Sequence, residues 1–248
     1  EGIELNGFMI KKMPPVVKIL TSLAGMPIGK TSKLDWHRLI RETGLKVVSV
    51  HEDLGSIQRV PDEIIAEAES FGTKYVVITG MNRFDYSDKS AVLDLAERLN
   101  SAGKRLKEGG ISLLYHNHNC EFRKAAPGMT AYDMLMERTD PEYVNFEFDS
   151  YWPTEAGVDT IPLMKRLGTG MKLYHINDRG TRVSGPAGQI LKSDSMELGY
   201  GNMNLVDMVR IAKENGVDAV ILESHKNWVE KSPIRSFQLS AEFMNEYV

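Results

Sequence analysis

Short apolar runs alternate with segments of helical periodicity along nearly the whole chain. Runs such as KVVSV and YVVIT are rich in β-branched residues, which is typical of strands buried on both faces. Between these runs, apolar positions recur every three or four residues, which is typical of amphipathic helices. Strands are predicted over residues 1–5, 46–50, 75–79, 111–116, 144–148, 171–176 and 219–222.

The predicted helices lie between these strands, and most of them end beside a glycine. Thr31 or Ser32 is a suitable N-cap for the first helix, and Gly44 is a suitable end for it. The Gly and Pro residues between 13 and 29 predict a loop, in which the apolar run 16–20 has no assigned structure. Helices are predicted over residues 31–43, 61–71, 89–108, 130–138, 160–167, 205–215 and 233–247.

Strands that alternate with helices indicate right-handed βαβ units and a parallel sheet covered by helices. An open doubly wound sheet tolerates seven strands, whereas a closed barrel has eight. Ionisable residues at the strand ends favour the barrel, and no Gly-rich phosphate-binding sequence supports the open sheet. We therefore expect one (β/α)8 TIM-barrel domain over residues 1–248, with the first strand and helix of the barrel missing before Glu1. The residues at the strand ends are Glu4, His51, His116, Asp149, His175 and Glu223.

The composition limits the classes of binding partner that we expect. The 248 residues are 42% hydrophobic and carry a net charge of −4, with acidic and basic residues interspersed. This balance does not favour nucleic acid or an anionic membrane, and no apolar run reaches membrane-spanning length. The single cysteine, Cys120, cannot form an intrachain disulfide, so we expect a reducing, cytoplasmic location. No basic or triad-like arrangement marks Cys120 as a nucleophile.

The sequence ISLLYHNHNCEF changes abruptly from apolar to polar residues. His116, His118 and Glu121 fall within six residues of one another at the end of this strand. Imidazole nitrogens and carboxylate oxygens bind divalent metals and also transfer protons. A histidine at a strand end is often a satisfied structural residue, but the same pattern recurs after three later strands. The repetition favours a functional site.

The three later strands place polar side chains on one face in pairs. Glu147 and Asp149 alternate with phenylalanines in NFEFD, so Asp149 reaches the strand end and Glu147 lies one layer deeper. A structural ion pair and a functional role are both open for Glu147. His175 and Asn177 likewise share one face of their strand, and so do Glu223 and His225. A carboxylate such as Glu223 after four apolar residues requires a cationic partner, which a divalent metal can provide.

These motifs together resemble a known family. The segments YHNHNCEF, FEFDSYWPTEAGVD, YHINDRG, LGYGNMN and ILESH are similar to the xylose-isomerase-like TIM-barrel superfamily of sugar phosphate isomerases and epimerases, in its HNH variant. The resemblance implies one divalent ion, Mn, Mg, Co or Zn, held by Asp149, His175, Glu223 and a first ligand. We place Glu121 in the predicted ligand set, with His116 as the alternative for this first position.

The resemblance also implies substrate contacts. Relatives often have a lysine where this chain has Asn177, so the resemblance does not extend to chemistry that depends on this lysine. Trp152 is similar to an aromatic residue that lines the sugar site in this family, although a role in ordinary packing is an equal alternative. The predicted substrate-binding residues are Glu4, His51, Trp152, Asn177, Arg179 and His225.

The implied chemistry is proton abstraction next to the carbonyl of a sugar or keto-sugar, through a metal-stabilised enediolate. The candidate bases are His116, His118, Glu121 and Glu223. Such an enzyme would be an isomerase or epimerase, and with a leaving group β to the carbonyl it would be a lyase or dehydratase. A sugar-binding barrel without turnover is a further alternative, whereas the acidic balance disfavours an endonuclease-IV-like phosphodiesterase.

The sequence identifies neither the substrate nor whether the substrate is phosphorylated. The backbone of residues 199–201, Gly-Tyr-Gly, can bind an anion or form a tight turn before a helix, and the turn is favoured. Barrels of this family often pair, so a homodimer is compatible with the sequence.

Overall fold

The computed structural model describes residues 1–11, 34–81, 83–183, 188 and 190–248. In chain order the strands are β1 Gly2–Asn6, β2 Lys46–His51, β3 Tyr75–Thr79, β4 Ser112–His116, β5 Lys124–Ala126, β6 Met129–Thr130, β7 Val144–Asp149, β8 Met171–Ile176, β9 Asp178–Gly180, β10 Asp194–Met196 and β11 Ala219–Leu222. The helices are α1 Gly7–Ile10, α2 Trp36–Thr43, α3 Leu54–Arg59, α4 Pro61–Ser70, α5 Lys89–Glu108, α6 Ala131–Arg138, α7 Tyr151–Glu155, α8 Thr160–Leu167, α9 Leu205–Asn215 and α10 Pro233–Tyr247.

One sheet of seven parallel strands forms a nearly closed barrel, in the order β1-β2-β3-β4-β7-β8-β11. The predicted α/β-barrel architecture is therefore confirmed. The register places His116 beside Glu147 and Asp149 beside His175 on neighbouring strands. Because parallel strands all end at the same rim, side chains that are far apart in the sequence meet there.

Alternation along the strands separates an apolar layer from a polar one inside the barrel. Tyr75, Val77, Leu114 and Leu173 pack together in a small buried cluster. Two residues beyond Leu114 and Leu173, on the same faces of their strands, lie His116 and His175. The opposite faces, including those of Phe146 and Phe148 on β7, pack in the main core with the helices. The barrel interior is therefore apolar below and polar at the rim.

Most helix and strand bounds agree with the periodicity, and the first predicted helix needs correction. Helix α2 begins at Trp36, where the Asp35 carboxylate accepts a hydrogen bond from the Arg38 N–H at 2.9 Å. The cap is therefore Asp35, whereas Thr31 and Ser32 lie outside the described residues, as does the run 16–20. The expected end is confirmed, since Gly44 has a φ of 70°.

Several short elements lack a periodic signal and were not predicted. Among the described residues they are α1, α3, α7, the hairpins β5–β6 and β9–β10, and three 3-10 turns at Cys120–Phe122, Gly168–Gly170 and Val229–Lys231. All of them lie in the connections between the main strands and helices. Among the helices of the described ranges, none is both long and apolar enough to cross a bilayer.

Candidate active site

Four side chains from four strand ends meet at the rim of the barrel. His116, Asp149, His175 and Glu223 each offer one ligand atom, and these atoms all lie within 4.8 Å of one another. We call these four residues the upper group. His116, Asp149 and His175 occupy the ends of β4, β7 and β8, and Glu223 follows β11 directly. Three of the four predicted metal ligands are thus brought together, with His116 as the fourth.

The upper group concentrates ionisable side chains in a largely buried place. Asp149 is only 1% exposed, and its Oδ1 accepts the Tyr151 N–H at 2.7 Å. Burial and the neighbouring Glu223 carboxylate raise the pKa of Asp149 well above its ordinary value. Burial would also raise the pKa of Glu223, but His175 and His225 hold that pKa well below its ordinary value. Two adjacent carboxylates with imidazole neighbours form a donor set that suits a divalent cation, because the cation would let both carboxylates stay ionised.

A second group lies against the upper one and shares His175. Glu4, His51, Glu147 and His175 also offer ligand atoms within 4.8 Å of one another, and we call these residues the lower group. The His175 Nε2 is 2.6 Å from the Glu4 Oε2, although β1 and β8 are not adjacent in the sheet. Glu147 is fully buried, and its Oε2 lies 3.0 Å from the His116 Nδ1. This contact is compatible with both roles considered for Glu147, a structural ion pair and a functional one.

The structure does not bring Glu121, the predicted first ligand, into either group. The 3-10 turn Cys120–Phe122 directs its carboxylate elsewhere, and the side chain is fully buried. Its Oε1 accepts the Tyr115 hydroxyl at 2.9 Å, and its Oε2 accepts the His118 N–H at 2.9 Å. Both oxygens of Glu121 thus accept hydrogen bonds from neighbours, and His116, the alternative for this position, lies with Asp149, His175 and Glu223.

Aromatic rings border the upper group. The ring of His118 lies 5.0 Å from that of His116 and 5.4 Å from that of Trp152, between centroids. Trp152 in turn lies 6.2 Å from His225, whose Nε2 is 3.0 Å from the Glu223 Oε1. Burial is the main cause that lowers the pKa of His118 to about 4, so its ring is neutral near neutral pH. The predicted wall residue Trp152 therefore stands beside the candidate site.

Two other predicted substrate contacts are placed differently. Asn177 is only 2% exposed, and its Oδ1 accepts hydrogen bonds from the Ser195 hydroxyl and the Asp178 N–H. Arg179 lines a separate cavity of about 450 Å³, beside the first turns of α8 and α9. The structure places neither residue in the upper group. The remaining predicted contacts, Glu4 and His51, belong to the lower group.

Asp178 is a structural residue that sequence reasoning missed. Its carboxylate accepts the N–H groups of Gly199, Gly201 and Met203 at 2.8 to 3.1 Å. These bonds hold the loop after β10, and they show that the Gly199 and Gly201 N–H groups are already used. The turn interpretation of this Gly-Tyr-Gly sequence therefore agrees with the structure. In the sequence, this contact is signalled only by an aspartate directly after a strand and by a Gly-x-Gly sequence farther along the chain.

The fold and the site define the class of protein as a parallel α/β barrel with clustered histidines and carboxylates at the carboxyl ends of its strands. Residues 5–247 match the family model described as xylose isomerase-like TIM barrel. The chain belongs to this family.

Curated relatives match part of this chain. An inosose dehydratase of Mesomycoplasma hyopneumoniae (strain 7448) is 31% identical over 122 residues, which are 44% of this chain and 40% of the relative. This chain spans less than half the length of the curated relatives that it matches.

Solved structures share the fold over nearly the whole chain. A sugar phosphate isomerase/epimerase from Parabacteroides distasonis ATCC 8503 has a TM-score of 0.73 at 20% identity, covering 98% of this chain and 93% of its own. A structure of the IolI protein with a bound zinc atom has a TM-score of 0.62 at 15% identity, covering 100% and 99%.

Proposed function

We propose that this chain is an enzyme that removes a proton from the carbon next to the carbonyl of a sugar or keto-sugar, using one divalent cation. The upper group carries the proposal, because it presents a buried carboxylate, a partly buried carboxylate and two buried imidazoles within 4.8 Å at the end of the barrel where TIM-barrel enzymes bind substrates. The products would be an isomer or epimer, or a dehydrated compound. Mn, Mg, Co and Zn are the candidate ions.

The residues present fit such a cation. His116, Asp149, His175 and Glu223 would hold it, with two nitrogen and two oxygen donors. When bound, the ion would polarise a carbonyl oxygen and fix the orientation of the substrate. Burial is the main cause that raises the pKa of Asp149, and the Glu223 carboxylate raises this pKa further by a repulsion that a cation would relieve.

The surrounding residues would bind the substrate and move the proton. The His118 ring borders the upper group and is tilted against the Trp152 ring, so a substrate over the upper group would lie beside an imidazole base. Trp152 would cover one face of the sugar, and its buried indole N–H has no hydrogen-bond partner among the described residues. His225 would orient the second oxygen of Glu223. Glu121 would fix the His118 backbone, without contacting the substrate.

Dehydration is the second candidate outcome, and the relatives named inosose dehydratase favour it. In this reaction the C–H bond next to the carbonyl breaks and its proton passes to a base such as His118. The C–O bond of the β-hydroxyl then breaks, a C=C bond forms, and the hydroxyl leaves as water after it takes up a proton. Isomerisation and epimerisation share the first step and differ in where the proton returns.

The test is exchange of substrate C–H protons with solvent deuterium, followed by NMR. The chain, incubated with Mn²⁺ in D₂O, is expected to exchange the proton next to the carbonyl of an inosose or a ketohexose. Asp149→Asn and Glu223→Gln are expected to lose this exchange, and His118→Gln is expected to slow it by about 100-fold or more. Net formation of an unsaturated ketone would assign dehydration, and formation of a second sugar would assign isomerisation or epimerisation.

Asp62→Asn is a suitable control, because Asp62 is an exposed surface residue that pairs with Arg105. Its exchange rate should equal that of the wild type. If the wild-type chain binds the sugar with Mn²⁺ present but exchanges no proton, the chain is a binding barrel and the proposal is wrong.

A further inference from the structure

Each histidine of the upper group has one ring nitrogen against a carboxylate outside that group. The His116 Nδ1 is 3.0 Å from the Glu147 Oε2, and the His175 Nε2 is 2.6 Å from the Glu4 Oε2. The two histidines are at most 4% exposed and Glu147 is fully buried, while the Glu4 side chain is 9% exposed. These contacts are therefore shielded from solvent competition.

The contacts determine which nitrogen of each ring carries the hydrogen. A neutral imidazole has one N–H and one lone pair, and an ionised carboxylate can only accept a hydrogen bond. The Glu147 contact therefore assigns the N–H of His116 to Nδ1 and leaves the lone pair on Nε2. The Glu4 contact places an N–H of His175 on Nε2, and because Nδ1 faces the Glu223 carboxylate, Nδ1 also carries a hydrogen until a cation replaces it.

The remaining nitrogen of His175 faces the upper group. Its Nδ1 lies 3.1 Å from the Glu223 Oε2. Donor atoms that share one ion at about 2.1 Å lie roughly 3 Å apart, so this spacing suits two ligands of the same cation. His116 likewise contributes a ring nitrogen to the upper group.

We propose that Glu4 and Glu147 are positioning residues that fix the ring orientations of His175 and His116, with Nε2 of His175 and Nδ1 of His116 as hydrogen-bond donors. They thereby leave Nδ1 of His175 and Nε2 of His116 for a ligand bound in the upper group. The identity of that ligand as a divalent cation rests on the proposed function, whereas the positions of these two hydrogens do not. Hydrogen-bonded carboxylates behind metal-binding histidines raise ligand basicity and restrict ring rotation, which explains their effect on affinity.

A second cation in the lower group is the competing explanation. The Glu147 Oε1 and the His51 Nε2 are buried and have no hydrogen-bond partner among the described residues. However, the oxygens of Glu4 and Glu147 that face the group already contact His175 and His116. A second ion held by all four residues of the lower group would disturb both contacts, whereas the positioning role keeps them.

The first experiment reads the tautomers directly. Long-range ¹H–¹⁵N NMR of the cation-free chain, labelled with ¹⁵N-histidine, should show His116 protonated at Nδ1 and His175 protonated at Nε2. In Glu147→Leu the preference of His116 should be lost, and in Glu4→Leu that of His175. The Gln variants keep an acceptor oxygen and should retain the tautomers. The opposite wild-type tautomer at either histidine would overturn the assignment.

The second experiment measures Zn²⁺ affinity by competition with a chelator. Each Leu variant is expected to bind Zn²⁺ about 10- to 100-fold more weakly than wild type, and each Gln variant should lose less. Phe146→Leu is the matched control, because Phe146 lies on the opposite face of β7 in the main core. It should lower stability without changing the Zn²⁺ affinity.

The outcomes separate this inference from the proposed function. Unchanged Zn²⁺ affinity in both Leu variants would refute the positioning role while leaving the proposed function intact. Two Zn²⁺ ions per wild-type chain, with one lost in either Leu variant, would show a second cation site in place of the positioning role. If wild type binds no Zn²⁺, the proposed function fails and the NMR spectra still decide the tautomers. If a Leu variant does not fold, the wild-type spectra and the Zn²⁺ affinities of the Gln variants test the positioning role instead.

Discussion

At the scale of single residues, the main finding is that the polar residues of the HNHN segment have different roles. His116 joins the upper group, His118 borders it, and Glu121 turns away to hold the loop. Sequence spacing cannot separate these roles, because a 3-10 turn after the strand changes the direction of the side chains. Only the described contacts show that Glu121 accepts hydrogen bonds from its neighbours.

A prediction about reactivity follows from the Glu121 contacts. Burial and the adjacent Glu121 carboxylate raise the pKa of the Cys120 thiol to about 12. The thiol should therefore stay protonated and react slowly with iodoacetamide up to about pH 10, since the thiolate is the nucleophile. Glu121→Gln removes the negative charge and should increase the alkylation rate at pH 9. Equal rates in wild type and variant, measured by mass spectrometry, would contradict this account.

Gly201 tests the packing around Asp178. A Cβ at this position would lie 2.3 Å from the Asp178 Oδ1 and 2.6 Å from the Arg179 carbonyl oxygen. Gly201→Ala should therefore destabilise the chain by about 1–3 kcal/mol in urea unfolding, because the backbone must shift. Gly170→Ala is the matched control, since an added Cβ there meets no atom within 4 Å. Similar midpoints for the two variants would count against the crowded loop.

At the scale of elements, caps and glycines set the helix ends. Thr130 and Asp133 form a capping box at the start of α6, and the Asp133 carboxylate also pairs with Arg166 of α8. The cap therefore links two neighbouring helices as well as starting one.

The charge of Asp133 predicts how stability changes with pH. Burial would raise the pKa of Asp133, but hydrogen bonds from Thr130 and the Arg166 charge lower it overall. A lowered pKa contributes stability above the unfolded value of about 3.9, and this contribution is lost as the pH falls through the folded value. Asp133→Asn should therefore reduce the free energy of unfolding at pH 7 and have a smaller effect near pH 3. Denaturant titrations at both values provide the check, with exposed Asp94→Asn as the control.

At the scale of the whole molecule, the barrel brings distant segments into one site. Glu4 and His175 touch although 171 positions separate them in the chain. The seven-stranded order and the common strand direction create this contact, and no local signal could show it.

Binding of a cation should stabilise the whole fold. A ligand that binds only the folded state adds about 2.7 kcal/mol at a free concentration 100 times its dissociation constant. Mn²⁺ or Zn²⁺ should therefore raise the Tm of the wild-type chain, and EDTA should reverse the increase. Asp149→Ala should show no such increase, whereas Asp62→Asn should behave as the wild type does. An equal increase in Asp149→Ala would place the cation elsewhere.

The sequence by itself determined the alternation of strands and helices, most of their bounds, the barrel class and the polar strand ends. These features depend on local periodicity, on glycine and proline, and on the apolar content of each run. The tertiary structure decided that His116 and not Glu121 lies with Asp149, His175 and Glu223, that Asn177 and Arg179 stand apart from this group, and that Glu4 and Glu147 lie against its histidines. The physical reason is that ligand geometry depends on side-chain direction and on contacts between strands far apart in the chain, and neither is encoded in the spacing of residues.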